Sequence, residues 1–185
     1  MEVKDLGMGV LLLTPRVFYD DRGYYMESYS QRTLHEIGID DVLVQDNHLL
    51  CLKKNTIRGI HFQNVPHAQT KLLRCTKGKI LDIAVDLRKN SPTYKRYVSV
   101  ELDAETKQQI YIPKGFGHVC MSLIDDTEVQ YKVDELYYPE YDRAIAYNDP
   151  EIGIDWGDID PTVSVKDRNA PHLCDSDVNF EWSVQ

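Results

Sequence analysis

The chain has 185 residues, 42% of them apolar and 28% charged, which is the balance of a globular protein rather than of a disordered or membrane-spanning one. Its 30 acidic and 21 basic side chains leave a net charge of −9. A surface of that sign repels a polyphosphate backbone, so no nucleic acid partner is expected, although a small anion could still bind where a few Arg and Lys converge.

Taken in chain order, most segments read as short strands. GVLLLTP and YYMESYS come first, followed by a short helix over Ser30 to Ile37. There Ser30 caps the start, Leu34 and Ile37 form an apolar side, and Gly38 ends it. VLVQDNHLLCL, IRGIHFQ, QTKLLRCTKG, ILDIAVDL, RYVSVEL, QIYIP, HVCMSLI and TEVQYKVDE continue the strands. They are rich in Val, Ile and Tyr, with turn signals roughly every 8–12 residues, which suits an all-β sandwich or barrel. From Asp149 the chain turns Asp- and Pro-rich and irregular, but Trp156 and Trp182 should bind that tail to the body. No linker divides the sequence, so residues 1–185 are expected to form one domain. No apolar run reaches the roughly 18 residues of a membrane span, so no membrane partner is expected. The N-terminal stretch does not resemble a secretory leader, and a cytoplasmic location is the expectation. Cys51, Cys75, Cys120 and Cys174 are scattered without zinc-type spacing and are expected to be buried thiols.

A few segments hold residues able to do chemistry. In ILDIAVDL, Ile83, Val85 and Leu87 share one face, while Asp82, Ala84 and Asp86 share the other. Two aspartates beside a small alanine suggest a polar interior or cleft. In IRGIHFQ, simple alternation sets Arg58, Ile60 and Phe62 on one face and Gly59, His61 and Gln63 on the other. Gly59 leaves room beside His61, as where a ligand or another backbone comes close. Gln69, Lys71 and Leu73 share a side of the next strand, where a buried Lys71 needs a partner. Tyr131 alternates with Val129 and Val133, and Asp167 sits in a loop beside Lys166. Taken alone, each has an ordinary structural explanation: a bonded core histidine, a lysine reaching solvent, a packed tyrosine, a solvated loop aspartate. IPKGFGH carries the Pro-x-Gly-x-x-His turn of metal-binding cupin barrels, ending at His118. The His-x-His of such sites reads His61-Phe62-Gln63 here, so the metal ligand set is incomplete.

In order and spacing, RGYYMES, VQDN, IRGIHFQ, QTKLLR, ILDIAVDLR, SPTY, IPKGFGH, YKVDELYYPE, YNDPEIGIDW and KDRNAP resemble the dTDP-4-dehydrorhamnose 3,5-epimerase family, from Arg22 to Pro171. The resemblance implies a cupin-type jelly-roll β-barrel, a homodimer, no metal or organic cofactor, and a nucleotide-diphosphate 4-keto-6-deoxyhexose as substrate. It implies that His61 is the base, Asp167 its carboxylate partner, Lys71 the cation at the C4 oxygen and Tyr131 the proton donor. Arg22, Glu27, Gln45, Asn47, Arg58 and Lys166 fall at positions that hold the sugar nucleotide. Tyr137 falls where an aromatic ring stacks on the base, and His118 and Asp82 are expected to line the pocket. Asp142 replaces a family Glu, Ala146-Tyr147 an Arg-Trp pair, and LLCL a more polar stretch. None of these departures touches the four chemical residues. A sister enzyme inverting one carbon or using another nucleotide, a non-catalytic sugar-binding cupin and a metal-dependent oxygenase are the alternatives.

Overall fold

A computed structural model describes residues 1–183. Thirteen strands are present: β1 (Glu2–Gly7), β2 (Val10–Thr14), β3 (Val17–Asp20), β4 (Gly23–Met26), β5 (Gln45–Cys51), β6 (Ile57–Gln63), β7 (Lys71–Lys77), β8 (Lys79–Asp86), β9 (Tyr97–Asp103), β10 (Gln109–Ile112), β11 (Phe116–Ser122), β12 (Thr127–Val133) and β13 (Asp142–Ala144). Two helices accompany them, α1 (Gln31–Glu36) and α2 (Val165–Arg168), with a 3₁₀ turn at Leu173–Asp175. Eleven strands form two antiparallel sheets, in the orders β1-β2-β10-β7-β12-β5 and β13-β6-β11-β8-β9, and β3 and β4 make a separate hairpin. This is the cupin jelly roll, with side chains of the two inner faces meeting between the sheets.

Three apolar clusters hold it together. Between the sheets, Val10, Leu12, Leu73, Ile80, Ala84, Ile110 and Val129 fill one end. On the outside of the five-stranded sheet, Ile57, Ile60, Phe62, Ile83, Val85 and Leu87 are covered by the tail through Ile152, Leu173, Val178 and Phe180. The tail is therefore the outer wall of that sheet, as Trp156 and Trp182 suggested. Tyr147 accepts a hydrogen bond from the Trp156 indole through its carbonyl, and the Trp182 ring lies 4.4 Å from the Arg88 guanidinium. The third cluster sets Leu34 and Ile39 against Leu13 and Leu72 on the outside of the six-stranded sheet. Burying a leucine such as Leu34 is worth about 1.5–3 kcal/mol.

The expected helix forms. The Ser30 hydroxyl accepts from the Thr33 N–H, and beyond the end Gly38 and Ile39 donate to the carbonyls of His35 and Leu34. This doubly bonded ending needs a left-handed residue, and Gly38 has φ of 86°. The YYMESYS strand stops at Met26, because Ser28 to Ser30 lead into the helix, and VLVQDNHLLCL becomes a strand only from Gln45. β1, β3, β13 and α2 were not expected from the sequence. Cys51, Cys75 and Cys120 are buried, but Cys174 is exposed. Its turn sends only Leu173 into the core.

Candidate active site

β6 corrects the simple alternation. Its register against β11 runs His61 opposite His118 but Arg58 opposite Cys120, an irregularity with one extra residue on the β6 side. Such a bulge shifts the phase of a strand. Ile57, Ile60 and Phe62 face the outer cluster, while Arg58 joins His61 and Gln63 on the cavity wall. Gly59 sits in the bulge with φ of 128°, and a Cβ there would stand 2.4 Å from the His118 carbonyl oxygen. The close approach foreseen at this glycine is thus made by the β11 backbone.

The open end of the barrel is a cavity of about 360 Å³. His61, Arg58 and Gln63 line it from β6, His118 and Cys120 from β11, Lys71 from β7, Tyr131 from β12 and Asn47, His48 and Leu49 from β5. Gln69, Tyr137, Asp142 and Lys166 complete the rim. His61 and Tyr131 belong to opposite sheets and so enter the space from opposite sides.

His61 Nε2 lies 2.5 Å from Asp167 Oδ1, an arrangement that fixes ring orientation and leaves Nδ1 as the nitrogen able to take a proton. Asp167 is buried in α2 rather than in the expected loop, because the Ser164 hydroxyl accepts from its N–H at 3.0 Å and caps a short helix. Burial alone would raise the Asp167 carboxyl, but the His61 hydrogen bond and charge, together with Ser164 and the Gly59 N–H, bring it below its ordinary value. Asp167 therefore stays ionised beside the imidazole.

Lys71 is buried and, among the described residues, makes no ion pair; its ammonium lies 6.0 Å from the centre of the Tyr131 ring. Desolvation lowers it to about 8 against the opposing pull of Asp82 and Asp142. A charged group so stripped of water gains most from an anion formed beside it. Desolvation raises the Tyr131 hydroxyl, with Cys120 adding to the effect, so the phenol keeps its proton at neutral pH.

Asp82 lies behind the wall rather than on it. Its Oδ2 is 2.8 Å from His118 Nε2, so it orients that ring. Asp86, the other aspartate of that face, accepts from Arg88, Ser91 and Thr93 instead. At the mouth, Asp142 Oδ2 accepts from Lys166 Nζ at 2.5 Å and from the Tyr137 hydroxyl at 3.1 Å. Arg58 donates to the Leu50 carbonyl at 3.0 Å. Gln45 donates to Asn47 Oδ1 at 2.9 Å from just outside the cavity. Arg22 and Glu27 are elsewhere: Arg22 pairs with Asp20 on the exposed β3–β4 hairpin, and Glu27 accepts from the Thr33 hydroxyl. The sequence reading gave no role to His48, Leu49, Cys120 or Gln69 as lining residues. Cys120 follows from counting two residues on from His118, and Gln69 shares the Lys71 side.

A jelly-roll barrel whose open end holds a carboxylate-bound histidine, a desolvated lysine and a protonated tyrosine defines a proton-transferring barrel of the cupin type. The family profile described as dTDP-4-dehydrorhamnose 3,5-epimerase matches residues 7–175, and the chain belongs to that family. The Salmonella typhimurium dTDP-4-dehydrorhamnose 3,5-epimerase is 47% identical over 166 residues, 89% of this chain and 90% of that one. The crystal structure of the Bacillus anthracis enzyme of the same name, with TDP and PPi bound, is 42% identical with a TM-score of 0.88, covering 93% of this chain and all of that one. The Legionella pneumophila dTDP-6-deoxy-D-glucose-3,5-epimerase, in complex with dTDP-4-keto-L-rhamnose, is 35% identical with a TM-score of 0.88, covering 95% of this chain and 94% of that one. The chain is an epimerase, an isomerase by class.

Proposed function

We propose that this protein converts dTDP-4-dehydro-6-deoxy-D-glucose to dTDP-4-dehydro-L-rhamnose by inverting C3 and C5. The observation that carries the reading is the opposition of His61 and Tyr131 across the cavity. Inversion beside a ketone needs a base on one face, an acid on the other and a positive group at the ketone oxygen. His61, steadied by Asp167, takes the C–H proton, and the electron pair of that bond moves to the C4 oxygen as an enolate. The Lys71 ammonium stabilises that oxygen. Tyr131 then delivers its proton to the opposite face of the carbon, the carbonyl re-forms, the proton on His61 returns to solvent, and the Tyr131 phenolate takes a proton back from solvent. The sequence repeats at the second carbon.

Arg58, Lys166 and His118 suit the diphosphate and sugar oxygens, and Asn47 and Gln45 add amide contacts. Tyr137, at the mouth, offers its ring to the base. Arg22 and Glu27 lie outside the cavity of a single copy, on or beside a hairpin that exposes Phe18, Tyr19, Tyr24 and Tyr25. A homodimer in which this hairpin reaches the partner's cavity would cover those aromatics and bring both residues to the substrate. Among the described residues no helix is long and apolar enough to cross a membrane, and the buried unpaired thiols Cys51, Cys75 and Cys120 support a reducing, cytoplasmic setting.

The test is incubation of protein and substrate in D₂O with NMR at both carbons. Deuterium should enter C3 and C5, and His61→Ala should slow both by ~10²–10⁴-fold. Exchange at one carbon alone would make the protein a single-centre epimerase; exchange unaffected by His61→Ala would remove the histidine from the reaction.

A further inference from the structure

The segment joining β12 to β13 crosses the cavity mouth and carries Tyr137, more than half exposed. Its backbone is held by side chains from the cavity wall. Gln63, only 2% exposed, accepts from the Tyr138 N–H through Oε1 at 2.7 Å and donates from Nε2 to the Leu136 carbonyl at 3.0 Å. The same Nε2 donates to the His67 carbonyl at 2.8 Å. One amide thus grips the peptide groups on both sides of Tyr137. Gln69 adds a bond to the Glu135 carbonyl at 2.9 Å, and the His67 ring stacks on Tyr138 with centroids 3.7 Å apart.

We propose that Gln63 is a positioning residue that fixes Tyr137 over the cavity mouth and thereby sets affinity for the nucleotide end of the substrate. The inference rests on the reading above, in that a nucleotide-linked sugar occupies the cavity. An amide fits the task because it both donates and accepts, whereas the peptide N–H and carbonyl flanking Tyr137 need one partner of each kind. An apolar side chain would leave both unpaired. The segment would then have to be ordered at the cost of binding each time ligand arrives. Gln63 lies two residues from His61 on β6, so the strand bearing the base also sets the aromatic rim.

The experiment is a double-mutant cycle on the full chain with Gln63→Leu, Tyr137→Ala and both together. It reads dTDP affinity by calorimetry, and KM and kcat on the sugar nucleotide. Gln63→Leu should raise KM and the dTDP Kd roughly tenfold while kcat falls less than about threefold. The double variant should bind no more weakly than the weaker single one, since each removes the same contact. Losses that multiply, or a kcat that falls with KM unchanged, would overturn the proposal. If Gln63→Leu loses its cooperative thermal transition, Gln69→Leu takes its place in the cycle, and multiplying losses there count equally against it. A wild-type protein that binds dTDP but turns nothing over would sink the proposed reaction and still leave the affinity cycle to decide the positioning role.

Discussion

His61 Nε2 and Asp167 Oδ1 are 2.5 Å apart, although 106 residues of chain separate them. The proposed base stands on a strand of the barrel wall, and its partner comes from the tail that closes the outside of the same sheet. Asp167→Asn keeps the shape but removes the charge that favours an imidazolium. It should lower kcat for deuterium exchange at both carbons by ~10²-fold or more while leaving dTDP binding within threefold. Asp167→Asn exchange at wild-type rate would mean that His61 works unaided.

In the proposed reaction Lys71 sets an alkaline limit. Its ammonium must be charged to meet the enolate oxygen, and burial sets its titration at about 8. As pH rises through that value the cation is lost, so kcat/KM should fall on the alkaline side near pH 8. Tyr131, raised by desolvation, keeps its proton well beyond that point. Lys71→Arg, whose side chain stays charged, should lower the rate and move the alkaline limb upward. A limb unmoved in that variant would assign it to another group.

Tyr131→Phe separates two events that are joined in the wild-type protein. His61 can still remove a proton and return one from solvent to the same face, so deuterium should continue to enter the sugar. Inversion should drop ~10²-fold or more, because no acid remains on the six-stranded-sheet side. Proton NMR coupling constants distinguish the two outcomes. Exchange and inversion that fall together would show that Tyr131 is not the opposite-face donor.

Ser164 acts at one remove. Its hydroxyl caps the four-residue α2 by accepting the Asp167 N–H, and loss of such a cap costs about 1 kcal/mol. Ser164→Ala should reduce kcat several-fold with KM nearly constant, by letting Asp167 drift from His61, and lower the thermal midpoint by only a few degrees. A large KM effect with kcat intact would place Ser164 at the substrate instead.

Much of this was legible from local pattern. Alternation in ILDIAVDL separated the outer apolar side, Ile83, Val85 and Leu87, from the side that carries Asp82. Ser30 and Gly38 marked a helix that forms between them. The short strands β1, β3 and β13 escaped because they have few residues and little alternation; β1 has no fully buried side chain. Arg58 was set on the wrong face because counting by twos assumes an unbroken ladder, and the bulge at Gly59 depends on how closely β11 approaches. Asp167 looked like a loop residue because its helix is too short to carry a periodic signal. The distance to His61 is a property of the tail's path across the sheet. Arg22 and Glu27 show the complementary limit: resemblance ranks them with the substrate contacts, yet a single copy keeps them apart from the cavity.

The tail also gives the fold a second apolar layer outside the barrel. Because Phe180, Val178, Leu173 and Ile152 seal the five-stranded sheet from outside, much of the cohesion of the fold lies behind the reactive surface. The open end need not be packed to density, so it can hold a polar cavity about a lysine that makes no ion pair among the described residues. Chemistry and cohesion therefore draw on different residues of the same strands. Changes at the cavity wall can retune which sugar or nucleotide is accepted while the outer layer keeps the barrel standing, which leaves this architecture room to diversify its substrates without first becoming more stable.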